Sequence, residues 1–389
     1  MPWVPVATPW NRSKLQTAMT MRIGILGGGQ LGRMMALAGY PLGIRCTVLD
    51  PAVESCAAQV CPHIRGEFDD FQALYQLTQV SDVVTYEFEN VPVESAQWLA
   101  ERVAVFPPPR ALEVSQDRLT EKTFLRNLGI PTPLFAAVDE QYQFENALRE
   151  IGRPAVLKTR RFGYDGKGQA VIRTEADASR AWEKLGGRPL ILEEFVPFDR
   201  ELSFLAVRGR DGQVVAYPLV ENEHRDGILH RSVAPAGDTA EELGERAAEY
   251  AARVLGELDY VGVLAIEWFQ EGSRLLANEM APRVHNSGHW TLEGAHTSQF
   301  ENHLRAVCGL PLGSCEPVGW SAMFNVIGNM LPVAEVLRNP HAHLHNYGKT
   351  PRPGRKVGHI TLRASDAEEL YEKLPEWSLA FHRPPLGEE

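Results

Sequence analysis

Three groups of residues in this 389-residue chain carry more chemistry than packing requires. Lys158 closes an apolar run, Ala155-Val-Leu-Lys158, where a charged amine invites an anion; a snorkelling strand-end lysine is the plain alternative. Gly163, Gly166 and Gly168 follow closely, with Lys167 among them, and read as a loop whose backbone amides can reach phosphate. Glu267 interrupts Leu264-Ala-Ile-Glu-Trp-Phe269, and Glu279 follows Leu275-Leu-Ala-Asn278. If these runs are antiparallel neighbours turned at 270–274, the two acids stand side by side. They then repel unless a cation lies between them, and magnesium suits carboxylates shared with substrate phosphates; a salt bridge to an arginine is the alternative. Together the lysine, the glycine loop and the acid pair suit a nucleoside triphosphate held without a Walker loop. Glu193-Glu194-Phe195-Val196, leaving a strand, offers backbone groups to a base and a carboxylate to a ribose, and Glu201 is a second such acid; an acidic strand terminus is the bland reading.

A fourth group points elsewhere. Gly27-x-Gly29-x-x-Gly32, between a strand and a helix, fits the dinucleotide fingerprint, and Asp50 lies near where an acid would hold a ribose. Taken alone it favours an NAD-dependent oxidoreductase. Physically it says only that amides at a helix N-terminus can approach an anion, and a phosphorylated sugar serves as well as a pyrophosphate.

The elements that must position these residues divide the chain. Residues 1–20 read as a disordered leader with no signal-peptide pattern. Residues 21–115 alternate strand and helix, which implies a Rossmann-like parallel sheet. Residues 116–190 hold a helix near 119–128 and the strands around the glycine loop, a small lid domain. Residues 191–389 are more antiparallel in flavour, with a long helix near 241–255, strands near 262–269 and 274–279, and a small C-terminal subdomain after the basic turn Arg352-Pro-Gly-Arg-Lys356. The expected class is α/β. The formal net charge of −11 argues against nucleic acid as a partner, although a local basic pocket still serves a small anion. No apolar run approaches the ~20 residues of a membrane helix. The five cysteines form no CxxC pair and read as reduced cytosolic thiols.

These features resemble the ATP-grasp superfamily and, within it, the N5-carboxyaminoimidazole ribonucleotide synthetases. Four stretches carry the resemblance, which runs from about 21 to 361: Ile25-Leu-Gly-Gly-Gly-Gln-Leu-Gly-Arg33, Leu157-Lys-Thr-Arg-Arg-Phe-Gly-Tyr-Asp-Gly-Lys-Gly-Gln169, Asn278-Glu-Met-Ala-Pro-Arg-Val-His-Asn-Ser-Gly-His-Trp290 and Gly348-Lys-Thr-Pro-Arg-Pro-Gly-Arg-Lys-Val-Gly-His359. The resemblance implies an ATP-grasp fold behind a Rossmann-like domain. It implies ATP contacts at Arg118, Lys158, Gly163, Tyr164, Asp165, Gly166, Lys167, Gly168, Gln169, Glu193, Glu194, Phe195, Val196, Glu201, His224, Asn278 and Glu279. It implies magnesium, or manganese, on Glu267 and Glu279, and a bicarbonate region at Arg283, His285, Asn286 and Ser287. For 5-aminoimidazole ribonucleotide it implies Gly29, Gln30 and Leu31, either Glu87 or Glu89, Asp165 for the amine, and Lys349 and Arg355 for the phosphate. His285 is expected to orient bicarbonate or take a proton. The implied protein is a cytoplasmic homodimer without nucleic-acid or membrane partners. A formate-using purine transformylase and a non-catalytic nucleotide-binding regulator are the other readings; the Arg283-Val-His-Asn-Ser287 stretch favours bicarbonate, and a complete acid pair favours catalysis.

Overall fold

The computed structural model describes residues 20–163, 166–237 and 241–380. The leader expected over 1–20 therefore falls almost wholly outside the described residues, as do Tyr164 and Asp165.

The first sheet has five parallel strands in the order His63–Arg65, Arg45–Asp50, Arg22–Leu26, Val83–Tyr86 and Ala104–Val105. Its central strands are buried on both faces, with Ile23, Ile25, Val48, Leu49 and Val84 lacking solvent contact, as a helix-covered parallel sheet demands. The central strand ends in the first glycine loop, and helix Gln30–Gly39 leaves directly from it.

A second, antiparallel sheet runs in the order Phe135–Val138, Leu190–Glu194, Ala155–Thr159 and Gln169–Ile172. Helices Gln141–Ile151 and Glu175–Leu185 cover it through Phe144, Leu148, Ala178 and Leu185. Because Leu190–Glu194 pairs with Phe135–Val138 and Ala155–Thr159, this sheet ends after Glu194 and not at 190, where the sequence pattern suggested a break. Pairing across more than thirty residues leaves no local mark that could have located that edge.

The third sheet has nine strands, in the order Arg274–Ala281, Gly262–Glu271, Arg200–Arg208, Val220–Arg225, Ile228–Ala234, Trp320–Ile327, Lys356–Ala364 and Ala342–Asn346, with Val214–Ala216 paired to Arg200–Arg208. The last three strands of the chain thus continue this sheet, so the C-terminal segment shares its backbone ladder with the rest. Helix Glu241–Glu257 packs Leu243, Ala247, Ala251 and Val254 against one face of the sheet.

One irregularity matters for the site. In the hairpin Gly262–Glu271/Arg274–Ala281, Glu267 pairs with Glu279 but Trp268 pairs with Ala277, so Asn278 is an extra residue, a β-bulge. Side chains alternate faces along a strand. Without the bulge Glu279 would share the face of Leu275 and Ala277, which lie in the apolar core with Trp268. The bulge lets those two stay inside while Glu279 turns to the other face beside Glu267.

Candidate functional site

The acid pair is therefore built by strand register: Glu267 and Glu279 are cross-strand neighbours. Burial, and then the charge of Glu279, push the Glu267 carboxyl up to about 7. Burial also opposes the charge on Glu279, but Arg118 outweighs it and holds that carboxyl at about 2. The Arg118 Nη1 donates to Glu279 Oε2 at 2.7 Å, and His285 Nε2 lies 3.2 Å from Glu267 Oε1. The arginine anticipated as an alternative to a metal is thus present, but on one acid only. Arg118 also donates to the Gly163 carbonyl at 3.3 Å, tying the metal-side acid to the lid loop. Two neighbouring carboxylates, one of them raised by the charge of the other, fit a divalent cation. Among the described residues no group of three or more His, Cys, Asp or Glu side chains is arranged to hold a metal, so a cation here would need substrate oxygens as well.

Lys158 is buried, and its Nζ donates to Glu193 Oε2 at 2.9 Å. Glu193 stands opposite Val156, two residues from Lys158, so both side chains leave the same face. Lys122, fully buried, brings a second ammonium to 3.3 Å from the same oxygen and donates to the Asn278 carbonyl at 2.9 Å. Burial pushes Glu193 up, but Lys122, Lys158 and Arg118 overcome it and hold the carboxyl at about 2. Its other oxygen, Oε1, is buried without a partner in the protein, an acceptor placed to meet a ligand's donor.

Lys122 was not singled out from sequence, and neither was Glu121, whose Oε1 accepts from the Met280 amide at 2.6 Å. Burial and the Glu279 charge push Glu121 up to about 8. Both lie on helix Arg118–Asn127, which closes the open edge of the strand carrying Glu279. An edge strand presents unpaired amides and carbonyls, and here charged side chains satisfy them. On paper that helix is an ordinary charged amphipathic segment, and nothing local reveals that three of its charges point inward.

In the glycine loop, Gly166 and Gly168 both adopt φ +73°, a left-handed conformation that favours glycine. A side chain at Gly166 would collide with the Asp226 carbonyl at 2.9 Å, so the loop rests on the turn 226–227. Gln169 begins the following strand. Farther along, Glu201 Oε2 meets His224 Nδ1 at 2.7 Å. Burial pulls the His224 imidazole down, but Glu201 and the two acids raise it overall. Glu194 accepts from the Leu134 amide at 3.2 Å, the Phe195 amide donates to Pro154 at 3.3 Å, and Val196 is buried.

The first glycine loop is occupied by the protein itself. The Gly28 amide donates to Asp50 Oδ2 at 2.7 Å, the Gly32 amide to Glu87 Oε2 at 2.7 Å, and the Gly29 amide to Glu87 Oε1. A pyrophosphate would need those amides, and an NAD ribose would need Asp50, so the dinucleotide reading fails on its own geometry. The Gly29 amide and both oxygens of Glu87, expected at the ribonucleotide, thus also bond to each other or to the loop. Glu89 is held by Arg283, whose Nε donates to Glu89 Oε2 at 2.5 Å.

The bicarbonate stretch is likewise interlocked. Arg283 gives one further N–H to the Val284 carbonyl at 3.0 Å. The Asn286 amide pairs reciprocally with Asn325 at 3.0 and 2.7 Å and lines the same cavity as the acid pair, whereas Ser287 is fully buried. His285 Nδ1 accepts from the Ser287 amide at 3.3 Å, so its proton sits on Nε2, toward Glu267. Burial, then Arg283, drive this imidazole down to about 3. With Nδ1 accepting and Nε2 directed at Glu267, His285 is placed as a donor beside the acid pair; the expectation from sequence is that it orients bicarbonate or takes a proton.

A cavity of about 320 Å³ brings together the acid pair, the bicarbonate stretch and part of the first loop, lined among others by Gln30, Leu31, Glu89, Arg118, Gly163, His224, Glu267, Glu279, Arg283 and Lys356; Lys158 and Glu193 lie outside its lining. Beside it, Gly29, Gln59, Lys349 and Arg355 line a second cavity of about 740 Å³, and Lys349 donates to Gln30. Lys356, which in sequence belongs to the basic turn, lines the first cavity together with the acids.

A parallel domain followed by two antiparallel sheets that enclose a lysine, a glycine loop and an acid pair defines an ATP-grasp protein, and residues 123–300 match the ATP-grasp domain. Residues 19–116 match the ribonucleotide synthetase preATP-grasp domain, and 321–373 the phosphoribosylaminoimidazole carboxylase C-terminal domain. The chain belongs to the N5-carboxyaminoimidazole ribonucleotide synthase family. It is 54% identical over 356 residues to the enzyme of that name from Pseudomonas aeruginosa, covering 92% of this chain and 98% of the relative. It superposes on the N5-carboxyaminoimidazole ribonucleotide synthetase from Thermus thermophilus with a TM-score of 0.89 at 59% identity, over 94% of this chain and 100% of that one. An Aspergillus clavatus N5-carboxyaminoimidazole synthase in complex with ADP and 5-aminoimidazole ribonucleotide matches at 33% identity and a TM-score of 0.86, over 93% and 98% of the two chains.

Proposed function

We infer that the chain is an ATP-dependent carbon–nitrogen ligase that joins bicarbonate to 5-aminoimidazole ribonucleotide, giving N5-carboxyaminoimidazole ribonucleotide, ADP and phosphate. The observation that supports this reading is the cavity whose lining runs from Gln30 and Leu31 to Arg118, Glu267, Glu279 and Arg283.

ATP lies between the sheets, with Lys158 and the amides of Gly163, Gly166, Lys167, Gly168 and Gln169 at its phosphates. Glu193 Oε1 accepts from the adenine amine, the segment Glu194 to Val196 frames the base, and Glu201 with His224 addresses the ribose. Asn278 flanks the phosphates on its bulge. Glu267 and Glu279 would hold Mg²⁺ or Mn²⁺, which would supply charge neutralisation at the transferring phosphoryl group. To hold it, Glu279 would exchange its contact with Arg118, whose freed guanidinium would then serve a phosphate.

An oxygen of bicarbonate attacks the γ-phosphorus, ADP leaves, and carboxyphosphate forms. The chain contributes mainly position and charge. Arg283, steadied by Glu89, presents guanidinium N–H groups to the bicarbonate, and Asn286 shapes that wall from its pairing with Asn325. The ribonucleotide amine then attacks the carboxyl carbon, phosphate leaves, and Asp165 takes the amine proton. Gln30, Lys349 and Arg355 hold the 5′-phosphate, and the lid loop excludes water while the intermediate lives. The protein works as a cytoplasmic homodimer on small-molecule substrates; no helix among its described residues is long and apolar enough to cross a membrane.

Phosphate release from ATP, measured with and without bicarbonate and 5-aminoimidazole ribonucleotide, tests the reading. Full turnover is expected only with all three substrates. Turnover that needs formate in place of bicarbonate would assign the site to a transformylase.

A further inference from the structure

A row of buried polar side chains crosses the nine-stranded sheet beneath the cavity. Glu267, Ser203, Asn222 and Ser232 occupy four adjacent strands on one face: Ser203 is opposite Glu267, and Asn222 opposite Ser232. Ser203, Ser232 and Ser287 have no solvent contact and Asn222 very little. Burying such groups is costly unless each is hydrogen-bonded. Each is, and the bonds form one chain. Ser232 Oγ donates to Asn222 Oδ1 at 2.7 Å, Asn222 Nδ2 to Ser203 Oγ at 3.0 Å, and Ser203 Oγ to Ser287 Oγ at 2.7 Å. Ser287 Oγ lies 2.9 Å from His285 Nδ1, and His285 Nε2 3.2 Å from Glu267 Oε1.

The polarity of this chain is fixed independently from both ends. At the far end an amide oxygen only accepts and an amide nitrogen only donates, so Ser203, having accepted from Asn222, must pass its own hydrogen to Ser287. Ser287 in turn passes its hydrogen to His285 Nδ1. At the near end the Ser287 backbone amide, which can only donate, also aims at Nδ1, at 3.3 Å. The two ends agree: Nδ1 accepts and Nε2 bears the hydrogen.

We propose that Ser203, Asn222 and Ser232 are positioning residues that lock His285 as an Nε2–H donor and so hold the Glu267 carboxylate in its working orientation. The proposal rests on the reading of Glu267 as a cation-holding acid. It explains why a sheet interior carries four polar residues where apolar ones would pack, and why Ser287 sits in the bicarbonate stretch without reaching the cavity. A histidine whose second nitrogen is fixed behind an acid ligand is a recurring means of steadying a metal site, and losing such a partner typically costs about 10–100-fold in metal affinity or activity.

The test uses the full chain, metal-free, with nitrogen-15-labelled histidine. Long-range proton–nitrogen correlation reads the tautomer of His285, assigned by loss of its signals in His285→Gln. Wild type is expected to show the Nε2–H form alone. Because the Ser287 amide still aims at Nδ1, Ser203→Ala is expected to keep the Nε2–H form but to loosen the Ser287 hydroxyl's hold on Nδ1, read as a shift of the Nδ1 nitrogen signal, to lower kcat roughly tenfold and to raise the Mg²⁺ half-saturation concentration, with KM for 5-aminoimidazole ribonucleotide unchanged. Ser232→Ala, farther from the cleft, should move the same readouts less and serves if Ser203→Ala does not fold. An unshifted Nδ1 signal and kcat within twofold of wild type in the folded variants would overturn the proposal while leaving the acid-pair reading intact. Mg²⁺-independent activity of Glu267→Gln at the wild-type rate would remove that reading, and the proposal with it.

Discussion

Lys158→Met separates holding the fold from gripping the triphosphate. Lys158 Nζ is 2.9 Å from Glu193 Oε2. Stripping the only partner from a buried charge costs about 3–5 kcal/mol. Here Glu193 keeps Lys122, 3.3 Å from the same oxygen, so the carboxylate is not orphaned. Methionine also fills the space of the lysine stem. A loss of roughly 1–2 kcal/mol is therefore expected, below that range, which lowers Tm by a few degrees. The catalytic loss is far larger. Removing one pre-placed donor to developing charge costs about 10²–10³ in kcat, and no second lysine takes over, because Lys122 is committed to Glu193 and the Asn278 carbonyl. The assay pairs thermal unfolding with phosphate release under saturating bicarbonate and ribonucleotide. Turnover within threefold of wild type would refute the assignment of Lys158 to the phosphates. A variant that fails to fold would mean that Lys122 does not support Glu193 as the distances imply.

Other expectations follow from the same geometry. Glu267→Gln and Glu279→Gln should each raise the Mg²⁺ concentration for half-maximal activity by at least about tenfold, read from a metal titration of turnover; an unchanged titration would remove the metal from this pair. Arg355→Ala should raise KM for 5-aminoimidazole ribonucleotide more than KM for ATP, and the reverse would move the phosphate site elsewhere. NAD at millimolar concentration should leave the thermal midpoint unmoved, since the loop amides already serve Glu87 and Asp50; a clear rise would contradict that occupancy. Acid stability is set in part by His303, which accepts from the Val263 amide at 3.1 Å and meets Thr85 Oγ1 at 2.8 Å. Burial drives its imidazole down to about 3 from 6.5, so the unfolded chain takes up the proton first. That contribution is whole above pH 6.5 and is lost as pH falls toward 3, by up to about 1.4 kcal/mol per pH unit. His303→Gln should flatten the dependence of Tm on pH across that window, and an unaltered slope would show that His303 is not the group responsible.

The acids and the lysine were legible because each breaks a local rule: Glu267 and Lys158 interrupt apolar strands, and such breaks signal function. The fingerprint loop was legible as a backbone shape but misleading as to its occupant. Its spacing is local, whereas Glu87 reaches it from just past the end of the neighbouring strand Val83–Tyr86. Lys122 and Glu121 were invisible for the same reason in reverse. Their burial comes from docking on the strand edge at 277–280, and their own helix reads as solvated. Ser203, Asn222 and Ser232 look in sequence like the polar half of ordinary strand alternation, and only the ordering of the strands reveals them as one row. The break after Glu194 and the merger of the last strands into the large sheet are likewise outcomes of pairing between distant segments.

The extra residue at Asn278 also sets what length changes this hairpin tolerates. The tip at Gly272 and Ser273 lies outside the paired register, so residues can be inserted there without disturbing either acid. Between Ala277 and Glu279 the count is fixed at one. Deleting Asn278 would swing Glu279 into the apolar interior, and a second residue there would turn it away from its neighbour again, so variation in this hairpin should gather at its tip and spare that single step.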